Sequence, residues 1–255
     1  MNRTPAIVNH ESTAPLDQII PLIVENLTAK NAARERALVA SRKLIRLSAN
    51  SIRAVHRGEF DRAGEILDEA AAVRDEAVAA LQGHGDIYHA GFLHDAQKEY
   101  AEARTTLALL SGGVIPTPES LGVEAPAYLN GIAEAVGELR RMVLDRLRRG
   151  EYDGCEEMLG AMDDIYSVLV TIDFPDAMTG GLRRTTDQTR GILERTRGDL
   201  TMAMVQRRAT EDMAAGTPPS SRKPRTASRP AAPEQPVAVE PPPEPKEERE
   251  PPPMF

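Results

Sequence analysis

Four glutamates occur as two close pairs within apolar stretches of the sequence: Glu99 with Glu102, and Glu134 with Glu138. Residues three or four positions apart share one face of a helix, so each pair places two negative charges side by side, which destabilises an isolated helix. An arginine, bulk counterions or a bound divalent metal ion could compensate these charges. The spacing therefore makes the four glutamates candidate metal ligands, with a solvated acidic surface as the alternative.

A ligand set made only of carboxylates selects a hard cation such as Mg²⁺ or Mn²⁺, which accepts a few protein oxygens and keeps several waters. Such an ion suits phosphodiester hydrolysis, because it polarises a phosphoryl oxygen and lowers the pKa of a bound water. A ferritin-like di-iron centre needs a glutamate three residues before a histidine, and none of the five histidines has one. The di-iron alternative is therefore excluded.

A second row of charges is basic and consists of Arg42, Arg46, Arg53 and Arg57. Their spacing of 4, 7 and 4 residues places them on one stripe of a helix at ~100° per residue. No carboxylate occurs between residues 36 and 58, whereas a solvated helix face normally mixes both signs. Because guanidinium groups pair well with phosphate oxygens, the stripe is a candidate nucleic-acid contact, with an ordinary solvated face as the alternative.

The elements that must position these side chains are predicted to be helices. Apolar residues recur at the helical period through most of the sequence, and alternating strand-like runs are missing, so the fold class is all-α. The predicted helices cover residues 16–57, 59–81, 87–111, 118–121, 126–149, 152–170 and 182–206, and residues 174–181 are predicted to form a loop.

The two glutamate pairs differ in their position relative to the apolar stripes of their helices. Glu99 and Glu102 follow one flank of the buried stripe, where side chains can line a groove between helices. Glu134 and Glu138 point roughly away from the buried face of their own helix, which taken alone indicates a wet surface. Periodicity thus leaves both a metal site and solvated acids open.

Composition narrows the class of protein. The net charge of −8 excludes a chain that coats duplex nucleic acid by bulk positive charge, although local basic patches remain possible. Without tryptophan, and with four phenylalanines and five tyrosines, the chain has few platforms for base stacking. The single cysteine, Cys155, suits a reducing compartment, and no apolar run reaches the ~18 residues of a membrane span. We therefore expect a cytoplasmic protein without a membrane partner.

Three segments differ in composition. Residues 1–15 are predicted to form a flexible N-terminal arm, and residues 16–214 are predicted to form one all-α domain. Residues 215–255 consist mainly of proline, glutamate, lysine, arginine, serine and alanine. Such a segment buries too little apolar surface to offset the entropy of ordering it, so a disordered tail is expected there.

Two segments of the sequence carry a family resemblance. Residues 128–152 read YLNGIAEAVGELRRMVLDRLRRGEY, and residues 87–103 read IYHAGFLHDAQKEYAEA. The YLxGxAxxxGELxR core, the KEYxEA segment and the order of the helices together resemble the translin and translin-associated factor X family, in its archaeal single-chain form. The resemblance extends over about residues 30–205.

This resemblance implies an all-α fold of about seven helices, a hollow homo-oligomer, commonly an octamer, and binding of single-stranded RNA or DNA inside it. Members similar to translin-associated factor X are Mg²⁺-dependent endoribonucleases, whereas translin-like members lack the acidic set and only bind. By position, the acidic set of the active members corresponds here to Glu99, Glu102, Glu134 and Glu138. The sequence departs once, because Glu134 stands where active members usually have an aspartate. Basic residues of the first helix line the cavity in relatives, so the resemblance also favours the arginine stripe as an RNA contact.

We therefore expect a cytoplasmic, oligomeric nuclease that cuts single-stranded RNA with Mg²⁺ or Mn²⁺ held by the four glutamates. One alternative is a nucleic-acid-binding module without catalysis. The other is a scaffold whose glutamates are merely solvated.

Overall fold

The computed structural model describes residues 13–214, so the predictions for the tail at 215–255 and for most of the N-terminal arm lie outside the described residues. Nine helices and no strand occur among residues 13–214, as the all-α prediction requires. They are α1 (Leu16–His56), α2 (Phe60–Ala80), α3 (Gly85–Tyr88), α4 (Phe92–Leu110), α5 (Pro118–Leu121), α6 (Ala125–Arg148), α7 (Cys155–Leu169), α8 (Asp176–Thr179) and α9 (Leu182–Ala214).

The helices bury two main apolar clusters. In the first, α1 packs along α2 and α4 around residues such as Leu44 and Leu67, which are fully buried. In the second, α6 packs with α7 and α9 around residues such as Leu139 and Met162. Because α4 also packs along α6, these two helices connect the clusters, and the groove between them is where the predicted acidic residues meet.

Most predicted boundaries agree with the structure to within a few residues. The single helical turn predicted at residues 118–121 is confirmed as α5, whose start is capped by the Thr117 side chain accepting from the backbone N–H of Ser120. The last helix is longer than predicted and continues past residue 206 to Ala214, the last residue that the structure describes. The loop predicted at residues 174–181 contains one helical turn, α8.

The prediction of one continuous helix over residues 87–111 is wrong. The chain forms the single turn α3, leaves the helix, and begins α4 at Phe92. Gly91 has a φ of 96°, a value that L residues rarely adopt, so the chain changes direction there. The helical period of apolar residues continues across Gly91, so the sequence pattern does not indicate a helix boundary there.

Among the described residues, no helix combines the length and the apolar character needed to span a membrane.

Candidate functional site

Three of the four predicted glutamates meet in the groove between α4 and α6. Glu99 and Glu102 extend from α4 and Glu134 extends from α6, and one carboxylate oxygen of each lies within 4.8 Å of one from each of the others. We call these three residues the acidic cluster. Periodicity alone left a wet surface open for Glu134, whereas in the structure its half-buried side chain lies against α4 and meets Glu99 and Glu102.

A close helix approach at Gly131 permits this meeting. A Cβ atom at position 131 would lie 2.7 Å from both the Cβ of Ala101 and the carbonyl oxygen of Lys98, and 2.9 Å from the backbone nitrogen of Glu102. Only glycine allows the two backbones to pack at this distance. Since Glu134 follows Gly131 by less than one helical turn, this crossing directs it towards α4.

Glu102 is the most perturbed acid of the cluster. It is 9% exposed, and among the described residues it forms neither a hydrogen bond nor an ion pair. Burial, together with the negative charges of Glu99, Glu134 and Glu138, raises the pKa of Glu102 to about 8 from its ordinary value of 4.5. Burial also raises the pKa of Glu99, an effect that Lys98 partly opposes. With all three acids ionised, the cluster would carry more negative charge than its protein surroundings neutralise.

Among residues 13–214, the cation that pairs with the cluster is a lysine, which was not among the cations proposed from the sequence. The Nζ atom of Lys98 lies 2.7 Å from Glu134 and 3.6 Å from Glu99. Burial lowers the pKa of Lys98, but its hydrogen bond to Glu134 and the nearby carboxylates outweigh burial and raise it overall. Lys98 compensates Glu134 and leaves Glu102 without a partner.

Glu138, the fourth predicted ligand, is turned away from the cluster. Its carboxylate forms a short hydrogen bond with the Nε2 atom of His56 on α1 and lies 3.5 Å from Arg141. The hydrogen bond with His56, together with the positive charge of Arg141, lowers the pKa of Glu138. It still lies near enough for its charge to raise the pKa of Glu102.

His56 is a site residue that the sequence analysis missed. Its side chain is 5% exposed, and its Nδ1 atom has no hydrogen-bond partner among the described residues. The available signal was weak: His56 follows Arg53 by three positions on the carboxylate-free stretch, next to the buried Val55. Nothing in the sequence showed that this part of α1 faces Glu138, 82 positions away.

The donor set fits a hard divalent cation. Three carboxylates on two packed helices offer oxygen ligands within a small volume, as Mg²⁺ and Mn²⁺ prefer. The unpartnered Glu102 supplies an independent sign, because a buried carboxylate is costly unless a cation or a proton neutralises it. Glutamate at position 134 reaches the cluster with its own carboxylate.

The predicted basic stripe is exposed along α1, and we call it the arginine face: Arg42, Arg46, Arg53 and Arg57. Arg57 donates two hydrogen bonds of 2.7 Å to Glu59, and Arg53 donates one of 2.6 Å to Asn50. Within the described residues, Arg42 and Arg46 form no hydrogen bond and no ion pair, so their guanidinium groups are available to a ligand. The arginine face continues towards His56, the residue that contacts Glu138.

Comparisons with other proteins agree with this architecture. No protein-family model matches the chain. The uncharacterized protein MJ0175 of Methanocaldococcus jannaschii is 30% identical over 180 residues, which are 70% of this chain and 79% of that protein.

Solved structures with a similar fold cover most of this chain. The structure of the AfC3PO–duplex RNA complex is similar with a TM-score of 0.68 at 36% identity, covering 74% of this chain and 97% of that one. The crystal structure of AfC3PO has a TM-score of 0.69 at 35% identity, over 74% and 98% of the two chains. Apo-NeC3PO, at 20% identity and a TM-score of 0.64 over 78% and 99%, supports the fold alone.

Proposed function

The chain belongs to the translin and translin-associated factor X family, and from this premise we propose that it binds single-stranded RNA or DNA and cuts single-stranded RNA with a divalent metal ion. The observation that carries the proposal is the acidic cluster, in which three carboxylates meet and the most buried one has no partner. The duplex RNA held by AfC3PO, a relative at 36% identity, supports nucleic acid as the ligand.

In this proposal Glu99, Glu102 and Glu134 hold Mg²⁺ or Mn²⁺. When bound there, such an ion would polarise a phosphoryl oxygen of the substrate and lower the pKa of a water that it holds. Glu102 gives up the proton that its raised pKa lets it retain near neutral pH, and Lys98 can exchange Glu134 for a phosphate oxygen of the strand. Glu138, ionised and held in place by His56, is a further carboxylate whose negative charge acts on the cluster.

The arginine face would hold the strand. Arg42 and Arg46 are exposed and unpaired among residues 13–214, and each can pair with a phosphate of a docked strand. A chain of net charge −8 can bind a polyanion in this way if its basic residues line the contact surface.

We also propose that the protein assembles with copies of itself, commonly as an octamer in this family. The first part of α1 presents a row of exposed apolar residues, which water-exposed monomers rarely carry: Leu16, Ile19, Ile20, Ile23 and Leu27. Covering this row against another copy would remove it from water.

The second candidate function is nucleic-acid binding without cleavage, and Lys98 is the observation that favours it. Its ammonium group already neutralises Glu134 and lies near Glu99, so it can replace a metal ion electrostatically. The third alternative, a scaffold with solvated glutamates, does not agree with the 9% exposure of Glu102.

The decisive experiment incubates labelled single-stranded RNA with the protein and Mg²⁺, with and without EDTA. Glu102→Gln is expected to lower the cleavage rate by more than about 100-fold, since losing a ligand costs more than losing a residue that orients one. Glu138→Ala is also expected to lower it, and Glu156→Gln, on the exposed face of α7, is the matched control.

The outcomes separate the candidates. RNA that is bound but not cut by the wild-type protein supports the binding module. Cleavage that persists in Glu102→Gln or resists EDTA rejects the acidic cluster as the metal site. RNA that is not bound at all rejects the proposed function.

A further inference from the structure

A cavity of about 580 Å³ opens beside the acidic cluster. It is open to solvent on one side and is lined by α3 and the start of α4, the start of α6, and the α8–α9 junction. Glu134 of the acidic cluster and Lys98, which pairs with it, form part of its wall, so the cavity and the acidic cluster share Glu134. Its volume falls within the range of about 300–1,000 Å³ that is usual for small-ligand pockets.

One wall of the cavity carries a buried amide with an unused donor. Gln97 is 1% exposed, and its Oε1 atom accepts a hydrogen bond from the backbone N–H of Glu124 at 3.2 Å. Because only the oxygen can accept, this bond fixes the orientation of the amide. The Nε2 atom forms no hydrogen bond within the described residues, although the Tyr88 hydroxyl, which donates to Glu124, lies close to it. An unsatisfied buried donor is unfavourable, so the amide is suited to a ligand acceptor.

The remaining wall offers aromatic and apolar surfaces, and it carries one ammonium group, that of Lys98, beside the carboxylates of Asp95, Glu124 and Glu134. The rings of Tyr88 and His89 pack edge to face with centroids 4.9 Å apart, and the exposed Met178 lies across the cavity. His94 and Lys98 line the side that leads to the acidic cluster. Aromatic and apolar surfaces combined with a polar donor fit a nucleobase, and the ammonium group of Lys98 can pair with the phosphate attached to it in place of Glu134.

We propose that this cavity receives the base of the nucleotide adjoining the phosphate that lies at the acidic cluster. The Nε2 atom of Gln97 donates to an acceptor on the base edge, and Lys98 lies between the base and the phosphate. A base paired within a duplex cannot enter such a cavity without being extruded. The cavity therefore accounts for a single-stranded or locally unpaired nucleotide at the cut, and this inference rests on the proposed function.

The test uses single-stranded RNA in which one abasic residue is placed at each position in turn, with affinity and cleavage rate measured for the full-length protein. In the wild type, an abasic residue at one position next to the cut is expected to lower affinity or rate by about 10-fold, as expected for losing one bound base. Other positions are expected to have smaller effects.

Two variants address the cavity itself. Ala177→Trp fills its mouth from an exposed position, and Gln97→Met removes the donor at similar size. Both variants are expected to cut intact RNA about as slowly as the wild type cuts the abasic strand. On the abasic strand, the variants are expected to be no slower than the wild type, because the base that the cavity would receive is already missing. Ala79→Trp, at an exposed position of α2 away from the cavity, is the matched control and is expected to behave as wild type.

The failures are distinguishable. RNA that is bound and cut equally well with and without every base overturns the cavity proposal and leaves the proposed function intact. Wild-type speed in Ala177→Trp also overturns it, and this variant does not depend on the buried position 97. RNA that the wild-type protein does not bind overturns the proposed function, and the cavity proposal with it. If RNA is bound but not cut, the cavity proposal is tested by affinity alone: weaker binding of one abasic strand supports it, and equal binding of all strands overturns it.

Discussion

The acidic cluster and the arginine face carry opposite charges, and they are built in different ways. The cluster exists because two helices cross at Gly131, and the crossing buries its carboxylates enough to raise the pKa of Glu102 to about 8. The arginine face lies along a single helix, needs no other element, and remains in water. Tertiary packing therefore gives the acids unusual chemistry, whereas helical spacing alone gives the arginines a row of ordinary charges.

If the crossing creates the cluster, widening it should damage both fold and site. In Gly131→Ala the new methyl group meets the backbone of α4 at 2.7 Å, and such overpacking costs about 1–3 kcal/mol of unfolding free energy. RNA cleavage should also fall, because Glu134 moves away from Glu99 and Glu102. Urea unfolding and a cleavage assay measure the two effects.

Gly137, on the same helix, is the matched control. A Cβ there meets nothing within 4 Å, so Gly137→Ala should leave stability unchanged or raise it by up to about 1 kcal/mol. Equal effects of the two substitutions would remove the helix crossing as the explanation of the cluster.

His56 links the two regions, since it extends from the helix of the arginine face to Glu138. His56→Ala should lower the cleavage rate by about 10–100-fold, as expected when a ligand or a nearby acid loses the group that orients it. RNA affinity should change little, because the arginines remain in place. His56→Gln should restore part of the rate, since an amide can still donate to the carboxylate.

A general loss of structure would lower rate and affinity together and would not be rescued by glutamine. Circular dichroism on both variants monitors the helices. His84→Ala, outside the site, is the control and should leave the rate unchanged.

The sequence predicted the residues of the acidic cluster and of the arginine face, but periodicity did not predict which acids meet. The residues of both rows could be named, because spacing and the absence of carboxylates are properties of single helices. The family resemblance supplied the pairing of Glu99 with Glu134, which periodicity alone did not.

Three features could not be predicted because they depend on contacts between distant segments. The first is the partner of Glu138, which comes from α1. The second is the role of Lys98, whose position beside Glu99 in sequence did not show that it bonds to Glu134. The third is the cavity, whose wall includes α8, a turn inside a segment predicted to be a loop. The periodicity of apolar residues within one helix does not show which residues of distant segments come into contact.

The unusual pKa of Glu102 makes stability depend on pH in a defined direction. The folded chain retains the Glu102 proton up to about pH 8, whereas the unfolded chain releases it near the ordinary value of 4.5. Between these values the folded state binds more protons, so the metal-free protein should lose stability as the pH rises, by up to about 1.4 kcal/mol per pH unit from this group. Glu138, whose pKa is lowered, acts only at more acidic pH.

Urea unfolding at pH 6, 7 and 8 in EDTA, comparing wild type with Glu102→Gln, measures this contribution. The difference in stability between the two should grow with pH, and Mg²⁺ should stabilise the wild type more at pH 8 than at pH 6. Parallel curves for the two proteins would show that Glu102 ionises normally and that burial has not altered the cluster.

The arginine face should give the smallest effects, and those should differ within the row. Arg42→Ala is expected to weaken RNA binding several-fold and to reduce the slope of log affinity against log salt concentration by about 0.7 to 1, the value for one lost phosphate contact. Arg57→Ala should change both less, because Glu59 already accepts two of its N–H groups. Arg62→Ala, on α2 and paired with Glu65, is the control and should change neither. Equal slopes for Arg42→Ala and the wild type would mean that the exposed row does not touch the strand, and that RNA is held by the acidic groove and its cavity alone.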